Sequence, residues 1–296
     1  AEDPLSFPDA LAHASIFLAS PEIRSTLIPQ SVLVIGRTTL SRSINAFIKS
    51  SPITYVVDQR LATVDTDRQA DRKFTELPDL QGVIQSDEWI AKWAKVSERA
   101  QKLIASLDGW NEAVIARTIA AALPNETALF VSSSRPIRDL EGFAAPRTGI
   151  DVYANRGLAG IDGNISTALG IAYAHKATIA VLGDLSFLHD LTGLINKEAI
   201  NCRFIVINND GGGIFSTLPQ RGVNGFETVF GTPHGLNPAA IAQSMGVNAK
   251  QVTTVQELEA EIKAPISGIS VVVCDVPNRE SNADNLKAIY NSLSSI

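Results

Sequence analysis

Two apolar runs near the middle of the chain limit its fold more than any other feature. "ATIAVLGD" spans 177–184 and "CRFIVINND" spans 202–210, and each stops at a polar cluster. Similar Val/Ile-rich runs stand at 31–35, 51–58, 127–133, 150–157 and 270–276. Stretches with helical spacing follow or separate them at 40–49, 111–124, 165–175, about 189–199, 238–247 and 255–263. This β-turn-α-β order with short connections predicts an α/β fold: two domains with mainly parallel sheets flanked by helices.

The helix predicted over 86–107 carries its own signals. Ser86 can cap it, Asp87 and Glu88 suit its first turn, and Ile90, Trp93, Ala94 and Ser97 follow one apolar face. "DGW" at 108–110 breaks the pattern, which places the domain boundary there, with one domain over 1–108 and the other over 109–296. Residues 1–30 are Pro-punctuated and weakly helical, and 59–80 are polar and irregular. The chain opens at Ala1 on residues that do not read as the start of a sheet domain, so a fragment or processed form is expected.

Composition excludes some functions. Of 296 residues, 45% are hydrophobic and 19% charged, enough for sizeable cores and against wholesale disorder. A net charge of −6 argues against a nucleic-acid partner, although a few arginines can still create a local site for small anions. No run reaches about 18 apolar residues and no signal-peptide pattern opens the chain, so neither a membrane span nor secretion is expected and the location expected is cytoplasmic. Cys202 and Cys274 lie inside strand-like runs and are expected as buried thiols.

The polar clusters at 183–186 and 208–213 are the candidate site. In open α/β sheets ligands sit beyond the carboxyl ends of the strands. Adjacent parallel strands would put Asp184 and Asn209 on one sheet edge, within reach of one small ion. A carboxylate, an amide oxygen and a backbone carbonyl are hard ligands that suit Mg²⁺, which keeps its other positions for water or phosphate oxygens. Gly211, Gly212 and Gly213 allow unusual backbone angles and close approach to a ligand. Exposed N–H groups there, and at a helix starting near Ser186, suit a diphosphate.

With those residues in view, the chain resembles the thiamine diphosphate enzymes, whose signature is Gly-Asp-Gly, roughly two dozen residues, then Asn-Asn. Gly183-Asp184 and Asn208-Asn209 match it. Leu185 departs from it, and the Gly-Asp-Leu-Ser variant resembles the 2-succinyl-5-enolpyruvyl-6-hydroxy-3-cyclohexene-1-carboxylate synthases of menaquinone biosynthesis. "NRGLAGIDGNIST" (155–167), "NNDGGGIF" (208–215), "SRPIRD" (134–139) and "VIGRTTL" (34–40) are similar to further segments of that branch.

The resemblance implies the central and C-terminal domains of such an enzyme, binding thiamine diphosphate and Mg²⁺, with Mn²⁺ as an alternative ion. Asp184, Asn209 and the Gly211 carbonyl would hold the metal. Gly183, Leu185, Ser186 and Gly212 would contact the diphosphate. Ile161 would sit under the bent cofactor, with Gly160 and Gly163 permitting close approach. The branch condenses 2-oxoglutarate with isochorismate, and both are dianions that arginine orients well. Arg37, Ser134, Arg138 and Arg156 match its substrate-side positions, and Ile214, Phe215 and Leu218 would border the isochorismate pocket. The activating glutamate belongs to an N-terminal domain of the same protein, which implies a homodimer or homotetramer and no catalytic residue in this chain, only a half-site.

Other readings stay open. Arg42 and Arg60 could form a second, regulatory anion site. His189 reads as a helix-face residue rather than a base, and His13, His175 and His234 show no metal spacing. The function could instead be that of an acetolactate-synthase-like enzyme or a decarboxylase, or of a non-catalytic module that binds Mg²⁺-diphosphate.

Overall fold

The computed structural model describes residues 3–37, 40–60, 70–81, 86–195 and 199–294. Its contacts divide the chain into two compact units, one of Leu11–Ala105 with Tyr290–Ile296, the other of Asp3–Ala10 with Ser106–Ile289.

The smaller unit holds a three-stranded parallel sheet in the order β1 (Ser31–Ile35), β2 (Ile53–Val57) and β3 (Arg72–Phe74). Its helices are α1 (Ala14–Phe17), α2 (Pro21–Thr26), α3 (Arg42–Ser50) and α4 (Asp87–Ser106). Ser41 caps α3 by accepting from the Ile44 N–H at 3.2 Å. Trp93, on the apolar face of α4, meets Phe17, Phe47 and Trp89 edge-on with ring centroids 5.3–5.8 Å apart. Edge-to-face contact matches positive ring edges to negative faces, and it gives this unit its aromatic centre.

The larger unit is built on a six-stranded sheet, all of whose ladders are parallel. The strands are β4 (Thr127–Val131), β5 (Ile150–Tyr153), β6 (Thr178–Gly183), β7 (Cys202–Asn208), β8 (Asn248–Val252) and β9 (Ile269–Asp275). Their spatial order is β5-β4-β6-β7-β9-β8. The helices are α5 (Glu112–Ala122), α6 (Arg135–Phe143), α7 (Asn164–Ala172), α8 (Asp184–His189), α9 (Pro238–Ser244), α10 (Val255–Lys263) and α11 (Arg279–Ser294), the last of which begins in this unit.

Helices cover both faces, which is why the central strands are apolar without alternation. Phe204 and Val206 join Phe130, Leu182 and Phe187 in one buried cluster with residues of α7, α8 and α9. Ile205 and Ile207, one residue out of phase, are buried on the other face. Each fully buried Phe contributes about 1.5–3 kcal/mol. Cys202 and Cys274 are buried free thiols inside β7 and β9, and burial pushes the Cys202 thiol up to about 12.

The two parallel sheets flanked by helices agree with the fold class expected from the sequence. Several elements differ. Helix α8 begins at Asp184, close to the start expected near Ser186, and ends at His189; of the helix expected at about 189–199, Leu191–Leu194 form a 3₁₀ turn and 196–198 lie outside the described residues. The polar stretch 59–80 contains β3, while 61–69 lie outside the described residues. Short β8, with the burial of an edge strand, and helices α6 and α11 were not expected at all. Among the described residues no helix is long and apolar enough to cross a membrane.

Candidate active site

After β4 the chain moves to β5 on one side, and the next strand, β6, lies on the other side of β4. That reversal opens a crevice at the carboxyl ends of β4 and β6, where open α/β sheets place ligands. A cavity of about 420 Å³ occupies it. Ser134, Arg138, Arg156, Ile161, Asp184, Leu185, Ser186, Asn209, Gly211, Gly212, Ile214 and Phe215 all line it. Leu218, expected at its border, is outside the lining, and Gly160 lies beside it in an exposed segment.

Asp184 is the first residue of α8, only 2% exposed. Its Oδ1 accepts from the Leu185 N–H at 2.7 Å. Its Oδ2 accepts from the Gly211 N–H at 2.8 Å and the Asn209 N–H at 3.2 Å. Burial pushes its carboxyl up, against those hydrogen bonds and the nearby His234. The fold also brings His234 to Asp184, with Nε2 3.3 Å from Oδ2, a contact the sequence reading did not contain. His234 lies 50 residues from Asp184 in the chain, which no local spacing could reveal.

Asn209 follows β7 and is buried. Its amide Nδ2 donates to Glu112 Oε1 at 2.6 Å. Its Oδ1 is buried with no hydrogen-bond partner among the described residues. A buried, unpaired amide oxygen costs about 1–3 kcal/mol unless something binds it. Beside it stand a buried carboxylate and a loop of main-chain carbonyls, all hard oxygen donors. These residues therefore fit a small divalent cation. Among the described residues no three His, Cys, Asp or Glu side chains form a metal cluster, so the donor set is of mixed type.

The glycine loop is tightly confined. Gly211 has φ +131°, and a Cβ there would lie 2.1 Å from the Gly231 carbonyl oxygen. A Cβ on Gly212 would lie 2.1 Å from the Phe230 carbonyl oxygen. The Gly212 N–H donates to Gly231 O at 2.7 Å, and Arg279 on α11 donates to both Asp210 O and the Glu227 carboxylate. Glycine at 211 is thus required by backbone angle and by close approach together.

Further side chains complete the crevice. Ser186 Oγ donates to Ile161 O at 3.1 Å and accepts from Asn164 Nδ2 at 2.9 Å, so Ser186 ties α8 to the start of α7 and to the 160–162 segment. Ser134 sits at φ 76°, a strained angle for a residue with a side chain, and its carbonyl accepts from Arg138 Nη1 at 2.7 Å. Arg156 is half-buried. Glu112, Arg135 and Asp139 form a buried charged group on the wall: Arg135 bonds Asp139, and its Nε lies 3.7 Å from Glu112 Oε2. None of the three is among the sequence candidates, although Arg135 and Asp139 lie in "SRPIRD" beside Arg138.

The other candidate arginines, Arg37, Arg42 and Arg60, belong to the smaller unit. Arg37 and Arg42 are exposed there. Arg60 is committed to Asp58 through Nε–Oδ1 at 3.0 Å and Nη2–Oδ2 at 2.8 Å. An anion at Arg60 would have to compete with that carboxylate. His189 is exposed on α8.

Two family models cover most of the chain. The middle domain of thiamine pyrophosphate enzymes matches residues 2–131, and their C-terminal domain, described as binding thiamine pyrophosphate, matches residues 138–276. The chain belongs to the thiamine pyrophosphate enzymes. The first family match runs past the smaller unit, through α5 and into β4. Among curated relatives, a 2-succinyl-5-enolpyruvyl-6-hydroxy-3-cyclohexene-1-carboxylate synthase of Thermobifida fusca is 37% identical over 262 residues, 84% of this chain and 47% of the relative. Synthases of the same name from Bacillus cytotoxicus and Staphylococcus aureus are 32% and 31% identical over 90% and 89% of this chain, and 49% of each relative. The chain spans about half the length of the curated relatives it matches.

Proposed function

We propose that this chain is the central and C-terminal part of a 2-succinyl-5-enolpyruvyl-6-hydroxy-3-cyclohexene-1-carboxylate synthase. It would supply the Mg²⁺-diphosphate half of the cofactor site and part of the substrate pocket. The observation that carries this reading is the buried, unpaired Asn209 Oδ1 beside the Asp184 carboxylate at the ends of neighbouring parallel strands. The names of the relatives give the product, and the substrates that this reading assigns to it are 2-oxoglutarate and isochorismate, as the sequence resemblance implies.

In this reading Asp184, Asn209 and the Gly211 carbonyl hold Mg²⁺, or Mn²⁺ in its place. Leu185, Ser186 and Gly212 receive the diphosphate near the N-terminus of α8, with Gly183 giving access. When bound, thiamine diphosphate supplies the electron sink that lets an oxoacid lose carbon dioxide. Ile161 would pack against it, and Arg138 and Arg156 would orient substrate carboxylates. Ile214 and Phe215 give the acceptor ring an apolar wall. Arg37, Arg42 and Arg60 remain proposals for substrate or effector contacts from 1–108, the central domain in this reading, with 109–296 as the diphosphate domain. Cofactor activation is assigned to the part of the relatives outside the match, within a homo-oligomer.

The test is substrate choice in the full-length protein. Carbon dioxide release from 2-oxoglutarate, with product formed only when isochorismate is added, is the expected result. Turnover of pyruvate instead would favour an acetolactate-synthase-like enzyme or a decarboxylase. Cofactor binding without turnover of either acid would favour a binding module.

A further inference from the structure

Asn209 is asymmetric, and the asymmetry has a visible cause. An amide side chain can present its oxygen or its nitrogen, and the two orientations fill the same space. Glu112, in the first turn of α5, is buried and places Oε1 2.6 Å from the amide nitrogen. An ionised carboxylate can only accept hydrogen bonds, so the side facing Glu112 must be the NH₂ group. The oxygen is then turned away, and it is this atom that is buried and unpaired.

Glu112 is itself held. Its backbone N–H donates to Asn282 Oδ1 at 3.2 Å, and Asn111 caps the same helix by accepting from the Val114 N–H at 3.1 Å. Arg135 stands 3.7 Å from its other carboxylate oxygen and bonds Asp139. The amide also packs against the main chain, since a Cβ on Gly213 would lie 2.3 Å from Asn209 Nδ2. The side chain therefore has little room to translate, and what remains to be fixed is which end points where.

We propose that Glu112 is a positioning residue that fixes the Asn209 amide with its oxygen toward the metal, backed by Arg135 and Asp139. The inference rests on the Mg²⁺-diphosphate reading above and names the residue that sets its geometry. Glu112 makes no contact with the ion; it acts through Asn209.

The test is Mn²⁺ binding in the presence of thiamine diphosphate, read as loss of the free-ion signal in electron paramagnetic resonance, with the full-length protein. Glu112→Leu removes the acceptor and should weaken Mn²⁺ binding about tenfold, the worth of one charge-assisted hydrogen bond. Glu112→Gln keeps an acceptor oxygen without the charge and should stay within about threefold. In an Asn209→Asp background either oxygen serves as ligand, so adding Glu112→Leu should carry no penalty, a suppression that a merely structural role would not produce. If Glu112→Leu fails to fold because Arg135 loses a partner, Glu112→Leu with Arg135→Leu and Asp139→Leu removes all three charges of the group and should show the same tenfold loss. Unchanged binding in the Leu variant, equal loss in Leu and Gln, or a penalty that persists in the Asn209→Asp background would each overturn the inference. Asp184→Ala separates the two levels. Weakened binding there with an unaffected Leu variant removes only the role of Glu112. Unaffected binding in Asp184→Ala removes the metal reading and the inference with it.

Discussion

The Gly211 N–H donates to Asp184 Oδ2 at 2.8 Å, joining the ends of β6 and β7 through a contact 27 residues apart in the chain. The bond requires Gly211 at φ +131°, packed under the carbonyl oxygens of Gly231 and Thr232. Gly211→Ala is expected to destabilise the fold by about 2 kcal/mol or more, from backbone strain and a displaced loop. Gly222 is the control: it also has positive φ, at +84°, but a Cβ there meets nothing within 4 Å. Gly222→Ala should therefore cost only the strain of one angle, about 1 kcal/mol. Urea unfolding of both variants measures the difference.

Asn164 should prove a structural support of the diphosphate end. It is fully buried, and its Nδ2 donates to Ser186 Oγ at 2.9 Å and to the Asp162 carbonyl at 3.3 Å. Asn164→Ala leaves the buried Ser186 hydroxyl without its donor and is expected to cost about 1–3 kcal/mol. Ser186→Ala removes only the hydroxyl and should cost less. The two together should be non-additive in a double-mutant cycle, because both remove the same bond.

Much of this region was readable before any fold was known. The ends of β6 and β7 are visible because polar clusters interrupt apolar runs, and the parallel order follows from the helical stretches between them. Glu112, Arg135 and His234 were not readable as site residues, because only the folded sheet brings α5 and α6 to one crevice and His234 to Asp184. Strands β3 and β8 escaped because "RKF" and "NAKQV" lack apolar runs and lie at sheet edges. Helix α11 did carry a signal, in Ala283, Leu286, Ile289 and Leu293 at helical spacing, all buried. Within the described part of 189–199 only a 3₁₀ turn over Leu191–Leu194 stands, because α8 already begins on the signature aspartate and ends at His189.

Asp139 gives the fold a pH dependence. Burial pushes its carboxyl up to about 7 from the ordinary 3.8, against Arg135 and helped by the nearby Glu112. A carboxyl whose folded value is raised binds its proton more tightly in the folded state. Its contribution to stability is therefore complete below the ordinary carboxylate range and is lost as pH rises through about 7. Urea unfolding at pH 5 and pH 8 should show a smaller difference in Asp139→Asn than in the parent chain.

Arg138 and Arg156 are expected to act on substrate rather than on the cofactor. Arg138→Lys and Arg156→Lys keep the charge but lose the planar fork that grips a carboxylate. Each should raise KM for the dianionic substrate it holds about tenfold, with thiamine diphosphate affinity unchanged. Steady-state kinetics with each substrate varied in turn, set beside cofactor titrations, checks this.

The central claim is that Asp184 and Asn209 hold a metal-bridged diphosphate. Calorimetric titration of thiamine diphosphate into the protein, with and without Mg²⁺, beside Asp184→Ala, tests it most directly. Binding that requires Mg²⁺ in the parent and is lost in Asp184→Ala is the predicted result. Binding of equal strength in the variant would contradict it.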